Sequence, residues 1–286
     1  METRLISAEM LEEFEVYLKD EEKSPATVEK YLRDVSQFCL WLGKSSGSFP
    51  EVTKAAVSGW KEELISEGRS PGTVNGKLSA LDKFFSFAGW EDCRVRHLKI
   101  QRRMFIDDSR ELTRDEYERL LTAAEKAGKE WLALLIETIC ATGIRVSEVK
   151  HITVDAVRYG RAEIRLKGKI RVILIPQRLR KKLMKYIKKR GISSGETFLT
   201  KRGKPLDRRQ IWAEMKSLCR LAKVCSSKVF PHNLRHLFAR TFYAATGDMS
   251  GLADVLGHSS LDTTRIYLVS TAAVHMGVLN RLGLVS

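Results

Sequence analysis

Histidine and arginine stand close together in the run Pro231-His232-Asn233-Leu234-Arg235-His236. Proline suits the first position of a helix, because the N–H it lacks would have no partner there. The spacing then predicts His232 and Arg235 in the opening turns, three residues apart and on one face. A cationic pair at the positive end of a helix macrodipole is a natural place for a phosphate. His232 and His236, four apart, raise zinc as a rival, but Asn233 stands where the metalloprotease pattern has glutamate. A purely structural His-x-x-Arg is also common, so this run alone does not separate chemistry from packing.

Three further runs carry polar residues of the same kind. Ala141-Thr142-Gly143-Ile144-Arg145-Val146-Ser147-Glu148 places an arginine just past a glycine turn, with Glu148 one turn behind it. Leu256-Gly257-His258-Ser259-Ser260 is followed by Thr263-Thr264-Arg265-Ile266-Tyr267. Between these runs lie two β-branched stretches, Arg161 to Leu166 and Ile170 to Ile175, joined by Lys167-Gly168-Lys169, which predicts a hairpin with a basic turn. In this order the five segments resemble the tyrosine recombinases, the family of phage integrases and Xer-type resolvases. That family is marked by ATG-[LI]-R-x-SE, a basic hairpin, H-x-x-RH, LGH-S and TT-x-x-Y. Each motif alone is weak; all five in sequence are specific, and the resemblance spans the whole chain.

The resemblance implies roles. Arg145 and Arg235 match the two catalytic arginines, His232 and His258 the two histidines, Lys167 the hairpin lysine and Tyr267 the nucleophile. Glu148 matches the acidic residue that supports the site from behind. Tyrosine attack on a DNA phosphodiester would give a 3′-phosphotyrosyl bond and a free 5′-hydroxyl, which a partner strand's hydroxyl then reverses. Bond energy is conserved, so no cofactor and no metal are expected. The physics suits these residue types. Guanidiniums offer planar, permanently charged donors to the extra negative charge of a pentavalent phosphate. A tyrosine hydroxyl has an ordinary pKa of about 10, so its proton must be removed or shared, and His232 is the candidate acceptor. The leaving 5′-oxygen needs a proton, which Lys167 would deliver; Lys169 is its local rival. Tyr159, Tyr186 and Tyr243 rival Tyr267 by type only, since none follows the Leu256-Gly257-His258-Ser259 segment.

Helices must position most of these groups, and the expected fold class is mainly α. Ser7, Ser24-Pro25, Thr53 and Ser70-Pro71 each read as a helix start, predicting a four-helix domain over 1–105, which the resemblance implies is a SAM-like core-binding domain. The second and fourth of these helices repeat one pattern: Leu32/Leu78, Val35/Leu81, Phe38/Phe84 and Trp41/Phe87 share offsets and form an apolar stripe, suggesting two core helices that face each other. Ile100 to Arg110 is short and polar, the expected linker. A mostly helical catalytic domain with one small antiparallel sheet is expected over 106–286. It would open on a capping box at Thr113 and Glu116, with a helix near Arg145 and others over about 177–190, 208–222, 231–246, 249–256 and 261–270. Val274, Val278, Leu279 and Leu282 lie at helical spacing near the end of the chain; the resemblance implies that such a segment docks into a neighbouring protomer.

Charge supports a polyanionic partner. The formal net charge is +15, yet residues 1–105 hold 16 Lys and Arg against 17 Asp and Glu, so the entire excess lies in the second part. Between Leu166 and Gly195 there are eleven basic residues and no acidic one, a field that attracts nucleic acid. Double-stranded DNA is the expected partner, and the resemblance implies that a homo-tetramer, or a hetero-tetramer with a second recombinase, binds two sites of it. Lys169 and Arg171 in the hairpin, and Arg69, Lys77, Lys83 and the Arg94 to Arg103 cluster in the front domain, are expected to face it. The odd, scattered cysteines argue against a disulfide framework or zinc ribbon. No apolar run reaches the length of a membrane span and the N-terminus has no apolar leader pattern, so a cytoplasmic location is expected. Two other functions share these features: DNA relaxation of the type IB topoisomerase kind, and DNA-binding regulation by a chain whose catalytic site has decayed.

Overall fold

A computed structural model of the protein describes residues 4–45, 51–100, 108–166, 169–200, 202–258, 260–265, 267 and 280. The chain divides into two compact units, Met1–Arg102 and Arg103–Ser286.

The first unit contains helices α1 (Ala8–Asp20), α2 (Pro25–Ser45), α3 (Lys54–Ser66) and α4 (Pro71–Ala88). Ser7, Thr53 and Ser70 each accept a hydrogen bond from the backbone N–H three residues ahead. Each thereby satisfies a donor that the first helical turn leaves orphaned. The two helices with matching patterns, α2 and α4, do pack against each other. Val28, Val35 and Phe38 from one and Val74, Leu78, Leu81 and Phe84 from the other are buried. Phe14 of α1 meets Phe84 edge-on with ring centroids 5.1 Å apart, the arrangement that aromatic quadrupoles favour.

The second unit is helical around one hairpin. It runs α5 (Arg114–Lys126), α6 (Glu130–Thr142), a 3₁₀ turn (Val146–His151), α7 (Val154–Tyr159), β1 (Arg161–Leu166), β2 (Lys169–Leu174) and α8 (Gln177–Arg190). Then come α9 (Arg208–Ser217), α10 (Cys219–Ala222), α11 (Pro231–Thr246), α12 (Met249–Leu256) and α13 (Leu261–Arg265). The Thr113–Glu116 capping box is formed in both directions. α6 is its apolar centre: Leu132, Leu135, Ile136 and Ile139 are all buried, and the helix packs against both α5 and α11. β1 and β2 pair antiparallel, with Ile164 opposite Arg171 and Leu166 opposite Lys169.

Two local expectations need correction, and one helix was not foreseen. The helix expected near Arg145 is a 3₁₀ turn, closed by bonds only three residues long: the Glu148 N–H donates to the Arg145 carbonyl and the Ile152 N–H to the Val149 carbonyl. The helix expected over 208–222 is two: the Leu218 N–H bonds the Met215 carbonyl only three residues back, and this tightening separates α9 from α10. α7 was not anticipated. It has six residues between the cap Thr153 and Gly160, which is left-handed at φ 75°, too few to show helical periodicity. Most of the expected linker, and the apolar spacing near the end of the chain, lie outside the described residues. No helix among the described residues is long and apolar enough to cross a membrane.

Candidate active site

Arg235 is the centre of the site. Pro231 starts α11, and the Asn233 amide pins its first turn by donating to the carbonyls of Arg110 and Lys228 at 2.7 and 2.8 Å. One turn into the helix, Arg235 is 1% exposed, unusual for so strongly solvated a side chain. Its charge is tolerated because its donors are matched: Nη1 donates to the Gly143 carbonyl, and Nη2 to the Leu256 carbonyl at 2.8 Å and to His258 Nε2 at 2.8 Å. Nε points at the Tyr267 hydroxyl from 3.4 Å. Gly143 has to be glycine here. It is left-handed at φ 63°, and a Cβ would lie 2.5 Å from Phe238.

Tyr267 is 5% exposed and packs with Ala239, Leu252 and Leu256. Three histidines ring it: His236 edge-on at 4.5 Å between centroids, His258 stacked at 5.5 Å, and His232 tilted at 5.7 Å. Its N–H donates to the Thr264 carbonyl at 3.0 Å, closing the turn after α13.

The two candidate histidines are electrically alike. Burial, with the positive charges of Arg235 and Arg145 nearby, lowers both His232 and His258 to a pKa of about 4. Both are therefore neutral at neutral pH, which corrects the expectation of a cationic pair at the start of α11: only Arg235 carries charge there. For His258 the tautomer follows. A guanidinium can only donate, so Nε2 accepts from Arg235; the ring proton then sits on Nδ1 and is donated to Thr264 Oγ1 at 2.8 Å.

Arg145 is held from behind. Its backbone N–H and Nη1 donate to the two oxygens of Glu148, each at 2.8 Å. Its side chain nonetheless stays 42% exposed, so it is open to an incoming group. Arg171 completes the brace, donating to Glu148 Oε2 at 2.7 Å and to the Val255 carbonyl at 2.8 Å. Burial alone would raise the Glu148 pKa, but the Arg145 N–H and the two guanidiniums hold it below the usual carboxylate range. Arg171, expected to face DNA, instead points into the protein with 11% of its side chain exposed. It lies beside the buried Ile173 in the inward alternation of β2, opposite the outward Ile170 and Val172.

The Phage integrase family model matches residues 110–273, and the model of the phage integrase N-terminal SAM-like domain matches residues 11–92. The chain belongs to the phage integrase family. Tyrosine recombinase XerA of Pyrococcus furiosus is 30% identical over 95% of this chain and 93% of its own length. XerA of Thermococcus kodakarensis is 30% identical over 91% and 90%. Among solved structures, a lambda integrase tetramer bound to a Holliday junction superposes with a TM-score of 0.71, at 19% identity over 91% of this chain and 76% of that one. XerH bound to its difH substrate gives 0.66, at 21% identity over 84% and 76%. The chain is thus a tyrosine recombinase built as a SAM-like domain followed by an integrase catalytic domain.

Of the residues singled out in the sequence, Arg235, His258 and Tyr267 come into direct contact, and His232 joins them across the Tyr267 ring. Arg145 and Glu148 form the adjoining pair. Lys167 lies outside the described residues, as does the Lys169 side chain. In the front domain the expected DNA-facing cations are largely occupied. Lys83 pairs with Glu21 at 2.6 Å, and Arg69 with Glu67 at 3.0 Å. Lys77 holds its ammonium over the Trp60 ring and on Gln37, 3.7 Å from buried Asp34. Arg33 and Lys30 also reach Asp34. Two groups have no role assigned in the sequence reading. Glu111, 7% exposed, lies 3.5 Å from His236 Nδ1 and 3.3 Å from Arg240; nothing local marks it. Thr264 could have been suspected from its place three residues before Tyr267.

Proposed function

We propose that this chain performs site-specific DNA recombination, cutting and rejoining strands through a 3′-phosphotyrosyl intermediate on Tyr267. The observation that carries the reading is the single buried guanidinium of Arg235 joining the Tyr267 hydroxyl to His258 beside exposed Arg145. Arg145 and Arg235 clasp the non-bridging oxygens of the scissile phosphate. They stabilise the charge that grows as the Tyr267 oxygen bonds to phosphorus and the bond to the 5′-oxygen breaks. His232, neutral, takes the phenolic proton, and the phosphate's charge strengthens it as a base. His258 turns Nε2 to the phosphate, and Lys167 protonates the departing 5′-oxygen. Glu148 holds Arg145 in place. In the second step the 5′-hydroxyl of a partner strand attacks the phosphotyrosyl bond and restores the tyrosine.

Relatives with the same architecture are seen on DNA, one of them as a tetramer on a Holliday junction. We therefore assign this chain double-stranded DNA as substrate and a tetramer on two sites as its working form, formed alone or with a second recombinase. As an enzyme of DNA it works in the cytoplasm. Residues 1–105 form the clamp, with Lys30, Arg33 and Lys77 gathered on Asp34 and Arg69 near Lys77 as its basic face, and residues 106–286 carry the chemistry. Plain DNA relaxation is not favoured, because the relatives that match over nearly the whole chain are recombinases.

Covalent trapping tests the reading. Nicked duplexes from DNA flanking the gene are incubated in EDTA with wild type and Tyr267→Phe, then run on a denaturing gel. A protein–DNA band at the 3′ end of the cut, from wild type alone, is the expected result. Bands from both proteins would remove Tyr267 as nucleophile; site binding without a band from either would favour the regulator.

A further inference from the structure

We propose that Thr264 is a positioning residue for strand cleavage, fixing His258 through its hydroxyl and Tyr267 through its carbonyl. The inference deepens the reading above and rests on its assignment of His258 and Tyr267. Thr264 is 0% exposed, on the short helix α13. Its Oγ1 lies 2.8 Å from His258 Nδ1, and its carbonyl accepts the Tyr267 N–H at 3.0 Å. One residue therefore reaches both the imidazole and the turn that carries the phenol. The two rings it governs are stacked, with planes 16° apart.

The hydroxyl decides which nitrogen of His258 is offered to the reaction. With Nδ1–H held by Thr264, the Nε2 edge is turned to Arg235 and to the place where its guanidinium meets the phosphate. When the phosphate draws Arg235 toward itself, the negative charge favours the imidazolium. The added proton then falls on Nε2, the atom facing the phosphate, while Nδ1–H stays on Thr264. Without an acceptor at Thr264, Nδ1–H is a buried donor with no partner. The ring then gains by turning or by moving its proton to Nε2, where two donors would oppose each other across the 2.8 Å to Arg235. Valine matches threonine in shape and lacks the hydroxyl; serine keeps the hydroxyl. The pair separates orientation from packing.

Two measurements on the full chain test this. In protein labelled with ¹⁵N-histidine, His258 should carry its proton on Nδ1 at neutral pH in wild type and Thr264→Ser, and lose that state in Thr264→Val. A proton on Nε2 in wild type would overturn the proposal without reference to DNA. In single-turnover cleavage of a nicked duplex that wild type traps, Thr264→Val should slow covalent-complex formation about 10- to 100-fold. Thr264→Ser should stay within about threefold. In a His258→Ala background, Thr264→Val should add less than about twofold, because the residue it acts through is gone. A full extra loss in that background would reduce Thr264 to a packing residue, and a wild-type rate for Thr264→Val would end the proposal outright. Covalent trapping by Tyr267→Phe would instead defeat the functional reading, while the histidine spectrum would still decide what Thr264 does.

Discussion

Arg235 and Tyr267, 32 positions apart, meet through side chains alone, with Nε 3.4 Å from the phenol oxygen. The same guanidinium is fixed at its other end by the carbonyls of Gly143 and Leu256, which end α6 and α12. The arginine that touches the candidate nucleophile thus also ties together the ends of two helices. Lysine carries the charge but not the fork. Arg235→Lys should therefore lower single-turnover cleavage by about 10²- to 10³-fold, the range seen when one preorganised donor is removed from an oxyanion site. The melting temperature should fall too, since the two carbonyls lose a matched donor. Cleavage by Arg235→Lys within tenfold of wild type would show that charge suffices and geometry does not matter.

Glu148 supports a second test, on stability. Its carboxylate receives Arg145 on one oxygen and Arg171 on the other, with 4% of the side chain exposed. Removing one partner of a buried ion pair costs about 3–5 kcal/mol, because the remaining charge keeps its desolvation penalty. Glu148→Ala should lower the unfolding free energy in urea by an amount in that range. Glu148→Gln, which keeps an acceptor, should lose less. Wild-type stability in Glu148→Gln would mean that the carboxylate charge is not what braces the arginines.

The parts of this arrangement legible in the sequence are those set by local rules. Ser7, Thr53, Ser70 and Thr113 start their helices where a capping side chain must. The α2 and α4 stripes meet because apolar faces at one helical spacing have to be covered. Arg145, His232, Arg235, His258 and Tyr267 were identifiable because their motifs occur in one order. Sequence failed where a side chain's direction depends on distant elements. Arg171 sits in a basic stretch and reads as a DNA contact, but strand alternation turns it inward, and Glu148, 23 positions away, receives it. Lys83 reads the same way until Glu21, 62 positions away, neutralises it. The neutrality of His232 depends first on burial, to which Arg145 from a distant segment adds, and neither is visible in a His-x-x-Arg spacing.

Protonation gives the last prediction, with opposite signs for stability and for DNA binding. His232 and His258 have pKa values of about 4 in the folded chain, against 6.5 for an ordinary histidine. Between those values the unfolded chain binds protons that the folded chain refuses. Stability should therefore be full above pH 6.5 and decline as the pH falls from 6.5 toward about 4. Glu111 and Glu148, held below the ordinary carboxylate value of 4.5, add to the loss at still lower pH. A bound phosphate acts the other way, since its negative charge raises both histidines toward their ordinary value. DNA binding should then take up protons in mildly acidic solution, and affinity should strengthen as pH falls from about 7 to about 5.5 while the protein stays folded. Calorimetric titration in buffers of different ionisation enthalpy reads that uptake directly. The double variant His232→Gln, His258→Gln should abolish most of it. Undiminished proton uptake by the double variant would place the titrating groups elsewhere and remove the two imidazoles from contact with the phosphate.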